Sequence, residues 1–172
     1  MDLIEIHSIF HMDLKYVIVG FPKCGQISLE TYLRDLGYDV QRHDIIWRSN
    51  ASDMVKTQNP GRIPVIMTRD PIQMIWSSYF YWHYKDVMSF EKYLKHSVVR
   101  ESSLGNENPI EHADYEKHIN KFLDMKPILL KFEDMITIPD YPHENKTEKK
   151  PTITPKYVEM IQKALDSYKS GI

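Results

Sequence analysis

Nine residues, Gly20-Phe21-Pro22-Lys23-Cys24-Gly25-Gln26-Ile27-Ser28, follow directly on the apolar run that begins at Lys15, and their two glycines bracket a lysine. A loop between a strand and a helix offers free backbone N–H groups and the positive end of the helix dipole, which together bind phosphate. In a nucleoside-triphosphate loop the second glycine is followed by Lys and then by Ser or Thr, whose hydroxyl holds magnesium. Here Gln26 and Ile27 occupy those places, so the lysine and the metal ligand of an ATPase are both missing, and a lysine lies inside the loop as Lys23. The plain alternative is a strand-to-helix turn with an exposed lysine.

A second segment with chemical potential runs from Arg69 through Asp70 and Pro71 to Ser77. An arginine at a strand end can give a phosphate a forked, charge-assisted pair of hydrogen bonds. Ser77, two helical turns along, falls at the edge of an apolar stripe. The alternative is that Arg69 pairs with Asp70 or another acid and that Ser77 only packs.

These groups need elements to position them. Lys15 to Gly20 reads as a short buried strand, because four apolar residues, three of them β-branched, run together and stop at a glycine. Ser28 to Leu36 sets Leu29, Tyr32, Leu33 and Leu36 at helical spacing, with Gly37 as the stop. Further strands are expected at Tyr38 to Arg42, Ile63 to Thr68 and Pro127 to Phe132. Asp70 and Pro71 suit the cap and first position of a helix whose stripe, Ile72, Ile75, Trp76, Tyr79 and Phe80, is expected to face a sheet. The aromatic run Tyr79 to Tyr84 could stack on a base or line a pocket, but helical spacing favours a split between core and surface. Pro139 to Pro155 carries four prolines and reads as a loop. The last helix, Pro155 to Tyr168, repeats Val158, Ile161 and Leu165 and could dock on the sheet.

Short apolar strands alternating with amphipathic helices imply an α/β fold of three layers, a parallel sheet with helices on both faces. Ligands in such sheets sit beyond the carboxyl ends of the strands, where both segments begin. A chain of 172 residues with 42% hydrophobic content suits a single domain over 1–172.

The 22 basic and 24 acidic residues nearly cancel, so no global field draws the chain to nucleic acid, and an anion must be held by local groups. The one cysteine, Cys24, excludes an internal disulfide. With no basic leader ahead of an apolar run, the expected location is cytoplasmic. No stretch approaches the roughly 18 apolar residues that cross a bilayer, so no membrane partner is expected. His7 and His11 have the spacing of a metal pair but lack a third ligand, so no metal is expected.

The loop resembles the 5'-phosphosulfate loop of sulfotransferases, usually written PKSGTT, against which this chain reads PKCGQI. The Arg69 to Tyr79 segment is similar to the same family's 3'-phosphate site, an Arg at a strand end followed eight residues later by Ser. Lys131-Phe132-Glu133-Asp134-Met135 is a weaker echo of the late strand that ends in Tyr-Glu-Asp-Leu. The resemblance implies a P-loop-like fold, with the motif-bearing core in residues 15–135. It implies 3'-phosphoadenosine 5'-phosphosulfate as donor substrate, without a metal, and a hydroxyl or amine acceptor. Pro22, Lys23, Cys24, Gly25, Gln26, Ile27 and Ser28 would hold the 5'-phosphate, and Arg69 and Ser77 the 3'-phosphate.

Lys23 would meet the oxygen bridging phosphate and sulfate. Both family threonines are replaced, by Gln26 and Ile27, with Ser28 one position later as partial compensation. Cys24 replaces a family serine and reads as a small loop residue, although a helix start can lower a thiol pKa. Family enzymes often carry a catalytic His at the end of the second strand, which points to His43 as base, with Asp44 the second choice. Two other readings stay open: a P-loop nucleotide kinase, and a sulfotransferase-fold nucleotide-binding protein without turnover.

Overall fold

The computed structural model describes residues 1–98, 108–143 and 150–171. Chain contacts divide it into two compact units, Met1–Arg69 with Tyr115–Lys146, and Asp70–Asp114 with Thr147–Ile172.

The first unit is built on four strands, β1 (Lys15–Val19), β2 (Asp39–His43), β3 (Ile63–Thr68) and β4 (Ile128–Lys131). All pair in parallel, in the order β2-β1-β3-β4. Tyr16, Val17, Ile18 and Val19 of central β1 are fully buried, which is why that strand reads as a continuous apolar run rather than an alternating one. In the ladder Val19 pairs with His43, and Thr68 with Lys131, so the ends of β1 and β2 are level, as are those of β3 and β4. The helices of this unit are α1 (Leu3–Ile9), α2 (Gln26–Asp35) and α3 (Ala51–Gln58), before Pro71–Tyr81 and Phe90–Val98 of the second unit, called α4 and α5. Pro109–His112 of the second unit is α6. Tyr115–Ile119 and Phe132–Met135, back in the first, are α7 and α8, and Pro155–Ser170 in the second is α9. The fold is α/β, an all-parallel sheet flanked by helices.

Parallel strands require crossovers, and the crossover after β1 is α2. It starts at Gln26, two residues before the apolar periodicity predicts, because Gly25 takes φ 77° and serves as its cap. Gly37, at φ 91°, ends it where the sequence predicts. The core of the unit gathers Phe10, Tyr16 and Tyr38 with Leu29, Leu33, Met135 and Ile138. The rings of Phe10 and Tyr16 meet edge to face, 5.0 Å apart, a favoured arrangement of ring quadrupoles. The segment before β1 contains α1, held by a capping box in which Asp2 and Glu5 bond each other's backbone N–H groups.

The second unit is helical. Asp70 Oδ1 accepts from Ile72 N–H at 2.8 Å and Gln73 N–H at 3.4 Å, and Pro71 opens α4, as predicted. The aromatic members of the α4 stripe pack within this unit: Trp76 meets Phe90 of α5 at 4.8 Å and Tyr157 of α9 at 5.2 Å. Trp76 Nε1 donates to the Pro151 carbonyl at 2.9 Å, and Tyr79 Oη to that of Met88 at 2.6 Å. Tyr79 is buried and Tyr81 exposed, the expected split of the aromatic run. The partners of α9 are α4, α5 and α6. Of the proline-rich stretch predicted as a loop, residues 144–149 lie outside the described residues. Among the described residues no helix is long and apolar enough to cross a membrane.

Candidate functional site

The loop between β1 and α2 is folded around two left-handed residues, Lys23 at φ 58° and Gly25 at φ 77°. A non-glycine residue in that region costs on the order of 1 kcal/mol or more and persists only where its surroundings enforce it. Two of them are on hand. Arg69 Nη1 donates to the Lys23 carbonyl at 2.9 Å, and the Arg69 guanidinium lies 4.6 Å over the Phe132 ring. The same ring closes on Gly25, where a Cβ would stand 2.6 Å from Phe132 Cδ2. Arg69, from the end of β3, and Phe132, from the end of β4, thus clamp the loop at its lysine and its second glycine. Phe21 anchors the other side, its ring 4.7 Å from Tyr115 and 5.6 Å from His118.

No side chain caps the start of α2, so the dipole end of a ten-residue helix carries no protein carboxylate or hydroxyl at its cap. Gln26, the first helical residue, turns its carboxamide back across the loop. A Cβ on Gly20 would fall 1.0 Å from Gln26 Oε1, which is why position 20 accepts only glycine with this arrangement. That oxygen is buried without a hydrogen-bond partner among the described residues. Ser28 is 3% exposed and Ile27 half-buried.

Cys24 is completely buried, and desolvation pushes its thiol up to about 12, against the opposing pull of the Tyr115 hydroxyl bond and the Arg69 charge. Burial likewise drives the Tyr115 hydroxyl far above its usual range. The two neutral groups meet at 3.7 Å. The helix start therefore does not activate this thiol, and Cys24 is a packed loop residue, as its replacement of a serine suggests.

The sequence-predicted groups of the first unit gather at the carboxyl ends of the strands. Lys23 and Arg69 are joined directly. His43 is the last residue of β2, opposite Val19 and so level with the start of the loop. Its Nδ1 lies 3.0 Å from the carboxamide nitrogen of Asn59. Asp44 next to it accepts from Arg42, whose Nε also meets Glu30 at 2.9 Å, while Glu30 meets Arg34 at 2.8 Å. Burial raises the Asp44 carboxyl above its ordinary value, with the Arg42 charge acting against it. Its Oδ1 is buried without a hydrogen-bond partner among the described residues. Asp70, a candidate partner for Arg69, instead caps α4. Ser77 belongs to the helical unit and is 3% exposed.

Two residues of this neighbourhood escaped the sequence. Phe132 was visible only as part of a weak echo, and Asn59 carried no signal at all. The His7 ring bonds the Tyr38 hydroxyl. Among the described residues no group of three or more His, Cys, Asp or Glu could hold a metal ion.

No protein-family model matches the chain, and no curated protein matches it. Among solved structures, the crystal structure of a sulfotransferase from Alicyclobacillus acidocaldarius superimposes with a TM-score of 0.69, covering 91% of this chain and 93% of that one at 13% identity. At that identity the likeness establishes architecture and not activity: the chain has a sulfotransferase-like α/β fold.

Proposed function

We propose that the protein is a sulfotransferase carrying a sulfuryl group from 3'-phosphoadenosine 5'-phosphosulfate to a hydroxyl or amine, with 1–172 acting as one functional domain in the cytoplasm. The observation that carries this is the clamp of Arg69 on Lys23, which fixes a lysine-bearing loop at the uncapped start of α2. A phosphate fits there on two counts. The helix start provides N–H groups and positive potential. The Gln26 carboxamide, with its buried unpartnered oxygen, can turn about its terminal bond to direct N–H donors into the loop, in place of the family hydroxyl.

In the transfer, a bond forms from the acceptor oxygen or nitrogen to sulfur, and the bond from sulfur to the phosphate oxygen breaks. The acceptor's proton goes to the His43 ring. Lys23 meets the charge that develops on the departing adenosine 3',5'-bisphosphate, a contribution that grows as the bond breaks. Arg69 serves the 3'-phosphate while its Nη1 holds the loop. The assignment of Ser77 to that phosphate rests on the resemblance of its segment. Asp44, its carboxyl raised by burial, is the alternative base.

A nucleotide kinase finds no support at Gln26 and Ile27, which supply neither its lysine nor its magnesium hydroxyl. A nucleotide-binding protein without turnover is favoured by those same two replacements. Screening hydroxyl and amine acceptors with labelled donor separates it from the enzyme: label should pass to an acceptor and Lys23→Ala should weaken the passage, whereas no transfer to any acceptor supports the binding-only role.

A further inference from the structure

The segment that ends β2 and leaves it carries His43 and Asp44, and a single side chain from further along the sheet unit ties it down. Lys121 Nζ lies 2.9 Å from the Ile46 carbonyl, 3.0 Å from that of Arg48 and 2.9 Å from His118 Nδ1. An ammonium has three N–H donors and no lone pair, so it can serve all three acceptors, and His118 Nδ1 must be the accepting side of its bond. Ile46 and His118 are fully buried, where an acceptor left without a donor is costly. The chain turns tightly here. Arg48 N–H reaches the Ile45 carbonyl at 2.9 Å, and Ile45 N–H reaches the His43 carbonyl at 3.0 Å. His43 is thus one closed turn away from the carbonyls that Lys121 holds.

Lys121 belongs to a 3-10 helix, Asn120–Met125, that continues α7, and the same stretch touches the other loop of the site. The Phe21 ring packs on Tyr115 and His118, and Cys24 Sγ meets Tyr115 Oη at 3.7 Å. It also reaches α3, the helix that ends at Asn59 beside the His43 ring, through Lys56 and Asp124 at 2.6 Å, an exposed pair that adds little. Residues 115–125 therefore brace the loop of Lys23 against the segment of His43, with Lys121 as the link on the His43 side. We propose that Lys121 is a positioning residue for sulfuryl transfer: by holding the Ile46 and Arg48 carbonyls it fixes where the His43 ring stands relative to Lys23. This rests on the sulfotransferase function proposed above. A misplacement of about 1 Å between reacting groups can cost about a hundredfold in rate, so a bond that fixes the place of a base acts on turnover without touching substrate.

The test is a double-mutant cycle on the full chain. Lys121→Met keeps the aliphatic stem and removes the donors. It should lower kcat for transfer about tenfold or more, with the affinity for adenosine 3',5'-bisphosphate unchanged. In the His43→Ala background it should lower the residual rate by less than about twofold, since the ring it positions is gone. Lys121→Arg, which keeps charged donors toward the carbonyls, should retain most of the turnover. An unchanged kcat in Lys121→Met overturns the proposal, as does the same fold loss in both backgrounds or a parallel loss of bisphosphate affinity. If Lys121→Met does not fold, Lys121→Gln, with N–H donors on a shorter stem, takes its place in the cycle. Independently of turnover, Lys121→Met should speed amide hydrogen exchange at Ile45 and Arg48 about tenfold or more, and unchanged exchange there also overturns the proposal. Failure of the wild type to bind the bisphosphate removes the sulfotransferase function instead, and leaves amide exchange to decide by itself whether Lys121 holds the segment.

Discussion

In the sheet unit α2 starts without a side-chain cap, whereas α4 and α6 of the helical unit each have one. In the helical unit the caps are conventional, with Asp70 and Asn108 each accepting from the first turn of a helix, and Trp76 and Tyr79 find carbonyls for their polar ends. Its interior is a set of interlocked aromatic rings. In the sheet unit, buried acceptors go without hydrogen-bond partners among the described residues at Gln26, which opens α2, and at Asp44, which follows β2, and Lys23 of the loop before α2 takes positive φ. Such groups cost about 1–3 kcal/mol each when buried and unmade. They lie beyond the carboxyl ends of parallel strands, where ligands bind in such sheets, the end that the proposed function uses. The proposed function draws most of its groups from the loops of the sheet unit, while the aromatic core of the helical unit offers stability.

The comparison would break most visibly at Phe90, whose ring meets Trp76, Tyr79 and Tyr157. Phe90→Ala should lower stability by about 3–5 kcal/mol, read by denaturant unfolding, while the folded protein keeps its nucleotide affinity. If affinity falls in proportion, the division of labour is wrong.

In the sheet unit the reverse pattern is expected. His43→Ala should cut transfer by roughly a hundredfold, the scale of a lost general base, with affinity and stability nearly unchanged; Lys23→Ala should weaken both transfer and binding. Full transfer by His43→Ala would move the base to Asp44.

Arg69→Ala sharpens the picture further, because it removes both a phosphate partner and the clamp on Lys23. Binding of adenosine 3',5'-bisphosphate should weaken by about 1.5–3 kcal/mol, with a smaller loss for AMP. Equal losses would leave Arg69 with the clamp alone.

The smallest effect concerns Cys24. Burial favours its neutral thiol, lifting it from 9.0 to about 12, so the unfolded chain ionises first. Stability from this group is complete below about pH 9 and declines as pH rises toward 12. Cys24→Ala should flatten that alkaline decline in unfolding experiments, and the native thiol should resist alkylation at pH 8 until the chain is opened by denaturant.

Much of the frame was legible. Ile63–Thr68 and the Asp70-Pro71 helix start have the predicted bounds because β-branched runs and caps act locally. The helix α1 was missed because seven residues give too little periodicity, although its Asp2 and Glu5 capping box was there to see. The clamp was beyond reach for a different reason. The Arg69 bond to Lys23 spans 46 positions and the Asn59 bond to His43 spans 16, and such pairs are made by strand order and not by local pattern. The division of the chain between Arg69 and Asp70 falls inside a motif that reads as one piece in sequence. The thiol of Cys24 shows the same limit: its position at a helix start suggests activation, and only the packing that buries it reverses the sign.

Calorimetric titration with adenosine 3',5'-bisphosphate, ATP and AMP, each with magnesium and with EDTA, tests the central claim most directly. The bisphosphate should bind most tightly, and equally well in EDTA, since Lys23, Arg69 and the start of α2 supply the charge that a metal supplies in an ATPase. Tighter binding of ATP with magnesium, or bisphosphate binding that EDTA abolishes, would contradict it.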